Sequence, residues 1–132
     1  MGPPGPVALP SPKTVLGSQP WNSVSDNTWR AVPAMNLTFN LANASPTTIA
    51  WALAVPMNGH IVTRLTIDGV VLPGSQMVNG NTTFVAVSGT IFTTLAAGSH
   101  TVVLEYRAPQ PFSFDPTTDW QTSRLQVVTF DQ

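Results

Sequence analysis

A period of two runs through this chain and takes two forms. In the first, Leu37, Phe39 and Leu41 alternate with Asn36, Thr38 and Asn40. Leu65 and Ile67 alternate with Arg64, Thr66 and Asp68, and Val102, Leu104 and Tyr106 alternate with Thr101, Val103, Glu105 and Arg107. Successive side chains of a strand point to opposite faces, so each run has one apolar face and one largely polar face. No long window carries helical spacing. Asp68-Gly69 supplies two residues that accept positive φ and predicts a tight hairpin into Val70, Val71 and Leu72. Ala97-Gly98-Ser99 marks a turn before the strand at Thr101. The expected fold class is an all-β, antiparallel two-sheet sandwich without substantial helix.

The second form is apolar on both parities. Ile49-Ala50-Trp51-Ala52-Leu53-Ala54-Val55 is the longest example, and Phe84-Val85-Ala86-Val87 and Ile91-Phe92 are similar. The last strand carries Leu125 and Val127 on one parity, Val128 and Phe130 on the other. The outside of a monomeric sandwich is normally polar, so strands of this kind call for a cover. Either a second copy supplies it, or a face of small residues (Ala50, Ala52, Ala54) stays in water. On the first reading Trp51, Leu53, Phe84, Phe92, Val128 and Phe130 are the candidates for a subunit contact.

The first twenty residues read differently. Pro3, Pro4, Pro6, Pro10, Pro12 and Pro20 predict an extended Pro-rich arm over residues 1–20, ahead of a sandwich domain over residues 21–132. Gly2-Pro3-Pro4-Gly5-Pro6-Val7 forms two Gly-X-Y triplets, a register that Ala8 ends. The arm is therefore either a Pro-rich linker or the end of a collagen-like stalk. No apolar segment approaches the length of a membrane span, and no secretory h-region opens the chain. Charged residues make up 8% of the chain and the net charge is -1, which leaves no basic patch for nucleic acid. Cysteine is absent, so disulfides and thiolate metal sites are excluded.

The stretch from Ser88-Gly89-Thr90-Ile91-Phe92 through Leu95-Ala96-Ala97-Gly98-Ser99 to Val102-Val103-Leu104 resembles the paired penultimate strands of complement component 1q globular heads. Leu37 to Val55 is similar in layout to the strands that lead into that family's central apolar strand, and His60 to Leu72 to its next hairpin. The likeness covers about residues 27 to 131, although the last strand lacks the family's Phe-x-Gly. It implies a jelly roll of the tumour-necrosis-factor-like kind, with one sheet facing a three-fold axis and the other facing solvent. Domains of this kind form homotrimers and often cap a collagen-like stalk. The two forms of strand fall into those same two sets.

Catalytic arrangements are not evident. Glu105 is the one glutamate, and nothing places a second acid beside it as a hydrolytic pair requires. No nucleophile elbow, His-Glu-x-x-His or phosphate-cradling loop occurs. His60 and His100 each begin a strand and are expected at opposite ends of an antiparallel pair. Asp115 and Asp119 offer oxygen ligands of the kind calcium takes, but a Pro- and Thr-rich loop makes ordinary turn residues the simpler reading. No cofactor and no metal are expected. Arg64, Glu105 and Arg107, together with Asp119 and Trp120, are the candidates for a ligand patch. Trp21, Trp29, Phe112, Phe114 and Trp120 lie near predicted loops and are expected to plug the ends of the sandwich. The function expected is a non-enzymatic homotrimerisation head of a collagen-like or fibrous protein, extracellular or on a particle surface. Its partners are further copies of itself and, as ligands to present, glycans or cell-surface groups. The alternative is a carbohydrate-binding, lectin-like module or a receptor-binding fibre tip.

Overall fold

The computed structural model describes residues 9–24, 26–117 and 121–131. Eleven strands follow one another: β1 (Leu9–Leu16), β2 (Trp21–Asn22), β3 (Arg30–Leu41), β4 (Ser45–Val55), β5 (Gly59–Ile67), β6 (Val70–Val71), β7 (Met77–Asn81), β8 (Val85–Leu95), β9 (Gly98–Arg107), β10 (Ser113–Phe114) and β11 (Thr122–Asp131). A four-stranded sheet has the order β1-β11-β4-β8. A five-stranded sheet has the order β3-β9-β5, with β6 and β7 both on the far edge of β5. A short β2-β10 pair accompanies them, and every pairing is antiparallel. From β3 to β4, β5, β8, β9 and β11 the chain changes sheet at each long connection, which is the winding of a jelly roll.

The one-sided strands all lie in the five-stranded sheet. Val102, Leu104 and Tyr106 of β9 and Leu65 of β5 are buried in the common core, while Arg64, Glu105 and Arg107 face outward. The hairpin expected at Asp68-Gly69 is present: both residues have positive φ, 54° and 81°, and Ile67 pairs with Val70. In β3 the register shifts between Ala31 and Asn36, and Ala34 takes a φ of 66°. The extra residue changes parity, so that Val32 before it and Met35 after it both reach the core.

β4, β8 and β11, the two-sided strands, lie together in the four-stranded sheet, where parity separates large from small. Ile49, Trp51, Leu53 and Val55 point inward and are buried. The other parity of β4 carries Pro46, Thr48, Ala50, Ala52 and Ala54. Trp51 is only 1% exposed and Leu53 is fully buried within a single subunit, so neither is available for a subunit contact. That corrects the sequence reading of these two residues. Their neighbours are within the chain: Trp51 Nε1 donates to Thr63 Oγ1 at 3.0 Å across the sandwich, and the indole lies over Gly89. A Cβ on Gly89 would sit 2.5 Å from Trp51 Cζ2, so glycine is what admits the ring here.

A second correction concerns the Pro-rich arm. It does not extend to residue 20, because Leu9 to Leu16 pair residue by residue with Asp131 to Arg124 as the edge strand of the four-stranded sheet. An edge strand has one side free of ladder bonds, so it tolerates Pro10 and Pro12, which lack an N–H. The Gly-Pro triplets and Ala8 lie outside the described residues.

Candidate functional site

The outside of the four-stranded sheet is built in rows by its register. Pro12, Val128, Thr48 and Phe92 form one row across β1, β11, β4 and β8. Thr14, Gln126, Ala50 and Thr90 form the next, followed by Leu16, Arg124, Ala52 and Ser88. At the other end Phe130 lies opposite Pro10, and Pro46 opposite Thr94. Among the described residues of this face, Arg124 alone is charged. Phe92 is 78% exposed and stands beside a shallow depression of about 390 Å³ lined by Pro46, Thr48, Thr94 and Phe130. Of the candidates for a subunit contact, Phe92, Val128 and Phe130 thus share one outer face. Phe84 is half-buried just before β8 and lies off these rows.

The outside of the five-stranded sheet has another character. Arg64 pairs with Glu105 across β5 and β9, and Arg64 Nε donates to Glu105 Oε1 at 2.8 Å. Arg107 lies one outward position further along β9, opposite Val62. Trp29 immediately precedes β3 and covers both cations: its ring centre is 4.1 Å from the Arg64 guanidinium carbon and 5.1 Å from that of Arg107. Val62 faces outward on this sheet and yet is only 4% exposed. The Arg107 Nε is buried with no hydrogen-bond partner among the described residues. Three of the expected patch residues, Arg64, Glu105 and Arg107, thus meet on one face. Asp119 and Trp120 lie outside the described residues. Trp29 was not foreseen here, although its place two residues before outward-facing Ala31 puts it on the same parity, a signal the sequence did carry.

The other expected end plugs separate from Trp29. Trp21 stacks on Phe114 with ring centres 5.7 Å apart and meets Tyr106 and Phe112 at 5.4 and 5.3 Å. Tyr106 Oη accepts from the Val24 N–H at 2.9 Å, which ties the plug to the loop before β3. This cluster closes one end of the core.

The histidines and Asp115 also find places. Val62 pairs with Arg107 and Ile67 with Val102, so His60 and His100 sit at opposite ends of the β5–β9 pair. His100 Nε2 is 2.7 Å from the Ala96 carbonyl and Nδ1 is 2.7 Å from Asp68 Oδ2. Both partners are acceptors, so the arrangement is fully satisfied when both ring nitrogens carry a proton. The Ala96 carbonyl first, then Asp68, raise the His100 pKa above its ordinary value. Asp68 is held below the usual carboxylate range by the Thr101 N–H and then by His100. Asp115 accepts from the backbone N–H and hydroxyl of Thr117 at 3.0 and 2.7 Å, an Asx turn, and these bonds lower its pKa.

No protein-family profile matches the sequence, and the search of curated proteins finds no match. Solved structures do share the fold. Murine APRIL superposes with a TM-score of 0.58 at 10% identity, over 91% of this chain and 98% of its own. The globular domain of zebrafish complement 1qA gives 0.54 at 14% identity, over 90% of this chain and 95% of its own. The VP2 subviral particle of infectious bursal disease virus gives 0.53 at 13% identity, over 95% of this chain but 33% of its own. The architecture is that of a complement-1q- and tumour-necrosis-factor-like jelly roll.

Proposed function

We propose that the chain is a non-enzymatic homotrimerisation head, and that the outside of the four-stranded sheet is its subunit contact. The observation that carries this reading is Phe92, which is 78% exposed on a face whose described residues carry one charge. Covering a phenylalanine contributes roughly 1.5–3 kcal/mol, and each copy in a symmetric assembly gains it. Val128 and Phe130 extend the apolar strip, and the flat Ala50 and Ala52 let a neighbouring backbone come close. The three-fold arrangement is the one that the resemblance to complement 1q heads implies, and the shared fold supports it. The two Gly-X-Y triplets at residues 2–7 favour a collagen-like stalk leading into β1, and hence an extracellular or particle-surface setting.

Sedimentation equilibrium of the full chain tests the assembly. A trimer at micromolar concentration is expected, and Phe92→Asp should yield folded monomer with an unchanged far-ultraviolet spectrum. A wild-type monomer, or a variant that remains trimeric, would overturn the assignment.

A further inference from the structure

We propose that Asn58 is a site of spontaneous deamidation, through attack by the Gly59 backbone nitrogen, while the fold protects the same dipeptide at Asn79-Gly80. Neither pair belongs to the rows of the proposed subunit contact, so the inference does not rest on the assembly.

The chemistry is set by the sequence, in which Asn is followed by Gly at these two places. In such a pair the glycine nitrogen attacks the asparagine Cγ and forms a new C–N bond. The bond from Cγ to the side-chain nitrogen breaks, and ammonia leaves with the proton of the attacking amide. The five-membered succinimide that results takes up one water, and opening at either carbonyl gives aspartate or isoaspartate. Glycine has no Cβ, which leaves the attacking nitrogen uncrowded. Water is the only other reactant.

The fold treats the two pairs differently. Asn79 lies inside β7, opposite Ile61, and its carboxamide is held at both ends. Nδ2 donates to the Ala86 carbonyl, and Oδ1 accepts from the Gly80 N–H at 2.9 Å. The Gly80 nitrogen thus turns its hydrogen toward the oxygen and not its electrons toward Cγ. Attack there must break both bonds and turn Asn79 out of the extended conformation of the strand.

Asn58 is exposed and lies in the connection from β4 to β5, residues 56–58, outside any strand. Gly59 opens β5 and pairs with Asn81, the last residue of β7, at an end of the ladder where pairing opens most easily. The fold also requires glycine at this position. Its φ is 136°, and a Cβ there would stand 2.9 Å from Gln110 Cγ. The same demands that place Gly59 in the turn therefore keep the reactive nitrogen beside Asn58. Either product adds a negative charge, and isoaspartate also adds a methylene to the main chain. That extension falls between Met57, buried in the core, and the first pair of the β5–β7 ladder.

The test is incubation of the full chain in mildly alkaline heavy-oxygen water, with and without denaturant, followed by peptide mass mapping. Unfolded, the two pairs should react at comparable rates. Folded, Asn58 should react at least ~10-fold faster than Asn79, the scale of two hydrogen bonds released before attack. The Asn58 peptide should contain both aspartate and isoaspartate, each carrying one heavy oxygen from the opened ring. A folded chain in which Asn58 keeps its amide while denaturant releases it would overturn the site. Equal rates at the two pairs in the folded chain, or a faster rate at Asn79, would overturn the protection.

Discussion

The two sheets of this sandwich share one core and turn opposite chemistry outward. The outside of the four-stranded sheet offers Thr48, Ala50, Ala52 and Thr90 around the exposed Phe92, with one charge, at Arg124, among the described residues. The outside of the five-stranded sheet carries Arg64, Glu105 and Arg107 beneath Trp29. Covering the first face strips water from methyl and aromatic groups, which is favourable. Covering the second would desolvate three ionised groups, which costs free energy unless a partner replaces every bond. That difference is why the first face, and not the second, is the one proposed above as the contact between copies.

The contrast is sharpest within the four-stranded sheet itself, because β4 exposes one parity and buries the other. Trp51 belongs to the buried parity and Phe92, on the adjacent strand, to the exposed one. Trp51→Ala is expected to cost about 3–5 kcal/mol of subunit stability, from lost burial and the cavity left over Gly89. It also leaves Thr63 Oγ1 without its indole donor. The loss should appear in chemical denaturation at any protein concentration. On the proposed assembly Phe92→Asp should instead abolish the concentration dependence of melting, since it would remove a contact between subunits. If Trp51→Ala acted only through assembly, the division of this sheet into an inner and an outer parity would fail.

Much of this was legible in the sequence, and the misreadings have physical causes. One-sided runs at Leu37, Leu65 and Val102 and two-sided runs at Ile49, Phe84 and Leu125 mark two kinds of strand, and the structure gathers each kind into its own sheet. Trp51 and Leu53 were misassigned because an apolar residue on a two-sided strand looks available from either side. Size breaks that tie: Ile49, Trp51, Leu53 and Val55 share the parity that fills the core, while the alanines take the other. Residues 9–16 were misread because proline density suggests an arm, whereas an edge strand needs few N–H donors. The approach of Trp29 to Arg64 and Arg107 depends on how β3 enters the sheet, a long-range geometry at which local spacing only hints. Its parity with Ala31 was the available clue.

On the five-stranded sheet, a smaller effect is expected from the ion pair. The Arg64 and Glu105 side chains are about a fifth exposed, so solvent screens part of their attraction. A double-mutant cycle with Arg64→Met and Glu105→Gln should return a coupling of about 1 kcal/mol or less. That value would mark the pair as a hydrated surface feature that positions Arg64 beneath Trp29. A coupling several times larger would mean that this face is buried structure, and its contrast with the neutral sheet would lose its basis.

The smallest expected effect lies at the end of the same sheet, where His100 joins the β5–β6 turn to the turn before β9. Its pKa in the folded chain is raised, first by the Ala96 carbonyl and then by Asp68, above an unfolded value near 6.5. The folded state therefore binds this proton more tightly than the unfolded chain does. The stabilisation is fully present below about pH 6.5 and is lost as pH rises through the folded-state pKa. Melting temperature should accordingly drift downward across that interval, and His100→Gln should flatten the drift. His60 is the other histidine of the chain, so the difference between the two proteins isolates His100. An identical slope in wild type and variant would show that the Asp68–His100–Ala96 contact does not hold the proton. The two turns would then be joined by the hairpin geometry of Asp68-Gly69 and the Thr101 N–H alone, with no contribution from charge.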